Sequence, residues 1–338
     1  MKISGLKAPY LIFLGEETSD SDAKTGFGIA EWRPSLCIGQ MSLEGGTIDL
    51  GLPSMTIKEA SEANVGSLIV GIASIGGIIP DAWIETLEDA LLKGIDVVAG
   101  VHSHLKDVPR LREAARKSGA RLVDIRIPPK YIPVGNGKKR KGLRLLTVGT
   151  DCAVGKKYTA LTLEKDMRSR EMNVDFRASG QTGIMIAGKG IPIDAVVTDF
   201  VSGAAELLSP DNDADHWDII EGQGGIFHPG YAAVSMGLLI GSQPDAFVVC
   251  HEANRMHIEG WDSFDLPTVK EVIERTTQIG KITNAEIKCV GVSVNTAQLN
   301  PEESKKYLDR LSKKTGLPCI DPLRDGTHDI IDFLMKKY

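Results

Sequence analysis

The hydrophobic positions of the chain fall into short runs that are apolar on both faces, separated by longer stretches whose apolar residues recur at helical spacing. In the first third the runs are 10–14, 67–72, 96–99 and 121–125, and each predicts a buried strand. Between them, 80–92 carries Trp83, Ile84, Leu87, Ala90 and Leu91 on one helical face, and 108–118 predicts a second helix that stops before Gly119. Strands alternating with helices predict a parallel α/β sheet covered by helices.

Residues 128–142 (PPKYIPVGNGKKRKG) concentrate Pro, Gly and charge and read as a connector. The alternation then resumes, with runs at 143–148, 175–178, 195–199, 217–221, 246–251, 289–295 and 319–321. A domain boundary inside the connector gives an N-terminal domain over 1–135 and a second domain over 136–338, the latter built on a mostly parallel sheet.

Composition narrows the class. With 42% hydrophobic residues over 338, the chain can fill two ordinary cores. No apolar run approaches the roughly 18 to 20 residues of a membrane span, and the start of the chain lacks a signal-peptide core, so a cytoplasmic protein is expected. Five scattered cysteines without a CxxC pair predict free thiols, not a disulfide or zinc framework. A net charge of −6 lacks the basic excess of a nucleic-acid binder, and the basic run 138–141 reads as a solvated connector.

The most informative stretch is GTDCAVGKK, between an apolar strand and the helical pattern YTALTL. Gly149, Gly155 and Lys156 are read as the glycines and lysine of the GxxxxGK phosphate loop, in which backbone N–H groups and the helix dipole meet phosphate oxygens. Gly149, Thr150, Asp151, Cys152, Ala153, Val154, Gly155, Lys156, Lys157, Tyr158 and Thr159 are therefore candidate ligand contacts. The alternative is a glycine-rich turn with no ligand. Lys157 stands where the pattern has a Ser or Thr that holds magnesium, which points to a ligand whose phosphates are held and not transferred, such as coenzyme A.

Polar residues that close apolar runs are the candidates for chemistry, because strand ends line the crevice of an open parallel sheet. Asp199 and Glu221 offer carboxylates, and His228 and His251 offer imidazoles, as acid or base groups; a helix cap or a satisfied core partner is the alternative for each. Asn295, at the end of its run, can read a nucleobase edge or make an Asx turn. Ser179, Gln181 and Thr182 offer polar contacts to a ligand. In the N-terminal domain Lys24, Thr25 and Arg33, and in the second domain Arg255, are candidates for an anionic substrate. His102 and His104 share a strand face without a third metal ligand, and no metal site is assigned.

The motifs GTDCAVGKK, GQTGIMI, the run ending at Asp199, and EGQGG followed by HPG resemble the P-loop fold of dethiobiotin synthetase and its relatives. With DAKT and the WRP segment of the N-terminal domain, nearly the whole chain resembles a family long catalogued as a domain of unknown function. That family joins a small Rossmann-like domain to such a P-loop domain and includes D-glutamate N-acetyltransferases. The resemblance implies an α/β fold with a Rossmann-like N-terminal domain before a P-loop NTPase-like one. It also implies an acetyl-CoA-dependent N-acetyltransferase, with coenzyme phosphates on Gly149 to Lys156, acting on an acidic amino acid such as D-glutamate in a homo-oligomer. An ATP- and magnesium-dependent ligase or kinase of the dethiobiotin-synthetase type, and a non-catalytic nucleotide-binding regulator, remain the competing expectations.

Overall fold

The computed structural model describes residues 5–20, 22–72 and 77–338. The chain forms two compact units, one of residues up to Pro128 with Gln181–Ala195, the other of Pro129–Gly180 with Val196–Tyr338.

The first unit runs β1 (Tyr10–Gly15), α1 (Lys24–Trp32), β2 (Cys37–Ser42), α2 (Ile57–Glu62), β3 (Ser67–Val70), α3 (Asp81–Leu92), β4 (Asp96–Ala99), α4 (Pro109–Ser118) and β5 (Leu122–Asp124). The second opens with β6 (Leu143–Gly149), α5 (Lys156–Ser169) and β7 (Val174–Arg177). The chain then supplies α6 (Gln181–Ala187) to the first unit. It resumes in the second with α7 (Val201–Leu208), β8 (Trp217–Ile220), α8 (Ala232–Ser242), β9 (Ala246–Glu252), β10 (His257–Ile258), β11 (Trp261–Asp265), α9 (Val269–Gly280), β12 (Lys288–Asn295), α10 (Pro301–Thr315), β13 (Cys319–Ile320) and α11 (His328–Met335).

The first sheet has the order β2-β1-β3-β4-β5 and is parallel throughout. Its interior strand β1, YLIFLG, is buried along its whole length, each large side chain contributing about 1.5 to 3 kcal/mol. The chain leaves β1 for β2 on one side and returns to β3 on the other, so a switch point opens at the end of β1. Helix α1 crosses there at close range. The Gly26 N–H donates to the Gly71 carbonyl at 2.8 Å, and a Cβ on Gly71 would lie 2.7 Å from Ile12 and 3.0 Å from the Gly26 Cα.

The second sheet has the order β13-β12-β9-β6-β8-β7, again parallel throughout. β6 lies between β8 and β9, and the switch from one side of it to the other sets the crevice at its carboxyl end. The surface helices start on local signals. Thr268 with Glu271 and Asn300 with Glu303 form capping boxes at α9 and α10, and α10 stops at Gly316 in the left-handed conformation.

The strand expected over 195–199 is absent. Thr198–Phe200 is a 3-10 turn leading into α7, Val197 is 69% exposed, and β8 pairs directly with both β6 and β7, so no strand lies between them. Elements that the sequence reading does not place are α1, β2, α2, α6 to α11 and the β10–β11 hairpin. Among the described residues no helix is long and apolar enough to cross a membrane.

Candidate functional site: the loop between β6 and α5

The loop leaves β6 at Gly149 and enters α5 at Lys156. It holds five residues between Gly149 and Gly155, one more than GxxxxGK, so the expected match is one of order and residue type and not of spacing. The geometry shows how the longer loop closes. Ala153 and Gly155 both take positive φ (+54° and +96°), Val154 between them is buried, and the Thr150 N–H extends the ladder to the Cys250 carbonyl at 3.0 Å. Gly155 precedes the first turn of α5 without a side-chain cap, which leaves the positive end of the helix dipole facing the loop.

Lys156 is buried, and its Nζ donates to the Asp151 carbonyl of its own loop at 2.6 Å. Burial pushes its pKa below the usual lysine value, partly opposed by Cys152, Cys250 and Asp151. Lys157, the next residue of the same turn, lies with its ammonium 4.5 Å from the centre of the Tyr158 ring. The Thr159 hydroxyl bonds back to the Gly155 carbonyl at 3.0 Å and to Ser293 Oγ at 2.7 Å, so it joins α5 to β12.

Asp151 organises the loop. Its Oδ1 accepts the Cys152 N–H at 2.6 Å, while Oδ2 accepts from Arg255 Nη1 at 3.0 Å and from the Glu259 N–H at 2.7 Å. Arg255 also donates to the Cys152 carbonyl at 2.9 Å and pairs with Glu252. The guanidinium expected to meet a substrate is thus held against the loop, and it ties the β10–β11 hairpin region to it.

The neighbouring strand ends close on the same place. After β8, Gly222 passes so near β6 that a Cβ would fall 1.7 Å from the Thr147 carbonyl and 3.2 Å from Lys156 Cδ. Gly225 continues the approach, its Cβ position 3.4 Å from the Asp151 Cα. This approach is the physical reason for Gly222, while Gly224 is held at φ +49° with its Cβ position 2.8 Å from Ser235 Oγ. Glu221 itself is buried and accepts the N–H groups of Ser179 and Gly180 on Oε2 at 2.9 and 3.0 Å; Gln223 donates to Ser179 Oγ at 2.8 Å. From β9, His251 reaches Thr150 Oγ1 through Nδ1 at 3.2 Å and Tyr307 through Nε2 at 2.9 Å. Burial, and then the Arg255 charge, hold its pKa down at about 4. Asn295, at the end of β12, accepts the Ala297 N–H at 3.1 Å, the Asx-turn alternative.

His228 is buried against the half-exposed Tyr231 and Trp261, with ring centres 4.5 and 4.7 Å away, and burial lowers its pKa. Asp151, Cys152 and His228 place one donor atom each within 4.8 Å of one another, the grouping of this kind found among the described residues. Asp199 is exposed in its turn.

In the first unit the structure brings Thr25 and Thr182 together, their buried hydroxyls 2.8 Å apart at the starts of α1 and α6. Lys24 precedes them, exposed, as the first residue of α1. Gln181, with its amide in the orientation that satisfies both neighbours, donates to the Gly100 carbonyl and accepts from Arg126 Nη2 at 3.2 Å. Arg33 Nε donates to the Ile186 carbonyl at 2.8 Å, bracing the last turn of α6. Arg126 binds Asp194 at 2.7 Å and bonds to His102.

The sequence reading passed over Arg126, Asp194, Tyr231, Trp261 and Tyr307. The HPGY segment was the available signal for Tyr231; the others become neighbours only through tertiary packing.

A parallel sheet whose central strand runs into a glycine-bearing loop, followed by a helix with a buried lysine in its first turn, defines a P-loop protein, here joined to a Rossmann-like unit. The chain belongs to the DUF1611 family. The model of its P-loop domain, described as a domain of unknown function, matches residues 133–331, and that of its Rossmann-like domain matches 41–128. The chain is 45% identical over 326 residues to a D-glutamate N-acetyltransferase of a Pseudoalteromonas species, covering 96% of this chain and 98% of that one. It is 44% identical to a D-glutamate N-acetyltransferase of Tritonibacter scottomollicae, covering 97% and 99%. Among solved structures, a DUF1611 family protein from Anabaena variabilis superposes with a TM-score of 0.90 at 31% identity, covering 98% of this chain and 100% of that one.

Proposed function

We propose that this protein transfers the acetyl group of acetyl-CoA to the amine of D-glutamate. The observation that carries the reading is the 45% identity, over nearly the full length of both chains, to a protein named for that activity. The loop supports it in kind. Lys156 and the start of α5 suit the phosphates of a coenzyme, and Lys157 stands in place of the magnesium-holding hydroxyl, which suits phosphates that are held and not transferred.

In this reaction the neutral amine attacks the thioester carbonyl carbon, the C–S bond breaks, and the amine's proton ends on the departing thiol or in solvent. The thioester lies at the far end of the pantetheine arm from the phosphates. Side chains that touch the loop therefore serve binding, and the amine's proton is taken by a group further along the arm. Lys24, exposed at the start of α1, is the cation this reading offers to a substrate carboxylate; Arg33 and Arg255 serve as braces.

The test is thiol release from acetyl-CoA with D- or L-glutamate, with EDTA or magnesium, set beside ATP hydrolysis under the same conditions. Thiol release that requires D-glutamate and ignores EDTA supports the reading. Magnesium-dependent ATP turnover without thiol release overturns it in favour of a ligase or kinase.

A further inference from the structure

His228 is 1% exposed, in the turn that follows β8. The Gly230 N–H donates to its Nδ1 at 3.1 Å, so Nδ1 carries the lone pair and, in the neutral ring, the proton sits on Nε2. Tyr231 stacks on the ring at an interplanar angle of 29°, and Trp261 meets it edge-on at 79°, which fixes the ring's plane. Nε2 is buried without a hydrogen-bond partner, and Asp151 Oδ1, at 4.0 Å, is beyond bonding distance. A buried donor left unmet costs about 1 to 3 kcal/mol. A fold that keeps it beside a ligand loop has a use for it when the ligand is bound.

Two occupants compete for that N–H. A metal held by Asp151, Cys152 and His228 fits the distances but not the proton inventory. A metal-ligating histidine donates its second ring N–H outward, whereas here the second nitrogen receives an N–H, and Nε2 already holds the proton. Arg255, 3.0 Å from Asp151 Oδ2, adds a positive charge where a cation would have to sit. An oxygen acceptor on an anion meets neither objection.

We propose that His228 donates its Nε2–H to a phosphoryl oxygen of the ligand held on residues 149–156, as a side-chain contact to the anion beside that of Lys156. The inference rests on the reading of this loop as a phosphate site, and it makes His228 a binding residue in place of the general base expected for it. Burial, and to a lesser extent Lys156, disfavour a second proton on the ring against the pull of Asp151 and Glu259, and the Gly230 N–H already occupies the lone pair that would take it, so the neutral ring makes the contact without proton uptake.

The experiment titrates the full-length protein, labelled with 15N in its histidines, with inorganic pyrophosphate, coenzyme A and ATP, and follows the imidazole nitrogens by NMR. Calorimetry on the wild type, His228→Asn and His228→Gln runs alongside. The expected result is an Nε2–H tautomer in the free protein whose signals move on addition of pyrophosphate. His228→Asn, whose amide reaches only the Nδ1 position, weakens binding about tenfold to a hundredfold, and His228→Gln, whose amide nitrogen reaches Nε2, recovers most of it. The wild-type spectra decide the matter even if a variant fails to fold. Pyrophosphate binding with His228 unmoved overturns this inference alone, as does a ring protonated on Nδ1 that binds zinc stoichiometrically. Absence of binding by all three phosphates overturns the loop reading with it. Stronger response to coenzyme A than to ATP identifies the coenzyme as the source of the phosphate.

Discussion

The ammonium of Lys156 donates to the backbone carbonyl of Asp151, five residues earlier in the same loop. The charge therefore sits inside the loop, held by a neutral backbone acceptor.

Replacing that lysine with an apolar side chain separates binding from folding. Lys156→Met is expected to weaken coenzyme A binding about tenfold to a hundredfold. Because burial disfavours the lysine's charge, the ligand-free variant should melt no lower than the wild type. Thermal melts with and without coenzyme A check both halves: a ligand-induced shift that survives in the variant contradicts the loop assignment.

Lys157→Thr restores the hydroxyl at the place of the magnesium ligand. Wild-type affinity for coenzyme A should be the same in EDTA and in magnesium, and the variant should gain magnesium-dependent ATP affinity by about tenfold. Calorimetry in the two buffers is the check, and an EDTA-sensitive wild type would count against the role given to Lys157.

Glu221 is a buried acceptor for two backbone N–H groups. Glu221→Ala leaves the Ser179 and Gly180 donors unmet and should lower stability by about 1 to 3 kcal/mol, while Glu221→Gln, which keeps an oxygen there, should lose much less. Urea unfolding measures this. Should Glu221→Gln instead unfold like the wild type and lose turnover, the carboxylate has a chemical role as well.

The pH dependence of stability should carry a signature of His251. The folded ring titrates at about 4, whereas an unfolded histidine titrates near 6.5. Between those values the unfolded chain holds a proton that the folded one does not, so this residue's effect is absent above the upper value and destabilises progressively as the pH falls toward the lower. Its size is on the order of 3 kcal/mol. His251→Gln should flatten the difference between unfolding curves taken at pH 7 and pH 4.5; an unchanged difference refutes the assignment.

The strand framework was legible because YLIFLG, LRLLTVG and AFVVCHE are buried on both faces and so read as unbroken apolar runs. What escaped has particular causes. CIGQMS mixes polar and apolar positions on an edge strand, and WDSFD is exposed along its whole length, so neither shows a core pattern. KTGFGIAEW contains two glycines and reads as a loop, yet a Cβ on Gly26 would come within 3.2 to 3.3 Å of Leu14, Leu50 and Ile12, because α1 lies close on β1. AVVTD has the composition of a strand, but its end turns as a 3-10 helix directly into α7. At the site, residue type pointed to Lys156, Glu221 and His228, while their roles depended on Asp151, Ser179 and Gly230, partners that spacing alone does not reveal.

The first unit is finished by Gln181–Ala195, a segment the ribosome makes only after β6, α5 and β7. The order in which the chain emerges and the order in which its parts can be completed are therefore different, and the N-terminal 128 residues must wait, without the Thr182 and Asp194 partners of Thr25 and Arg126, while the phosphate loop is being synthesised. For the same reason a single protease cut between 128 and 142 separates the first unit's own sequence from the helix that completes it. The products of such a nick should stay associated through that borrowed helix and come apart only under denaturing conditions.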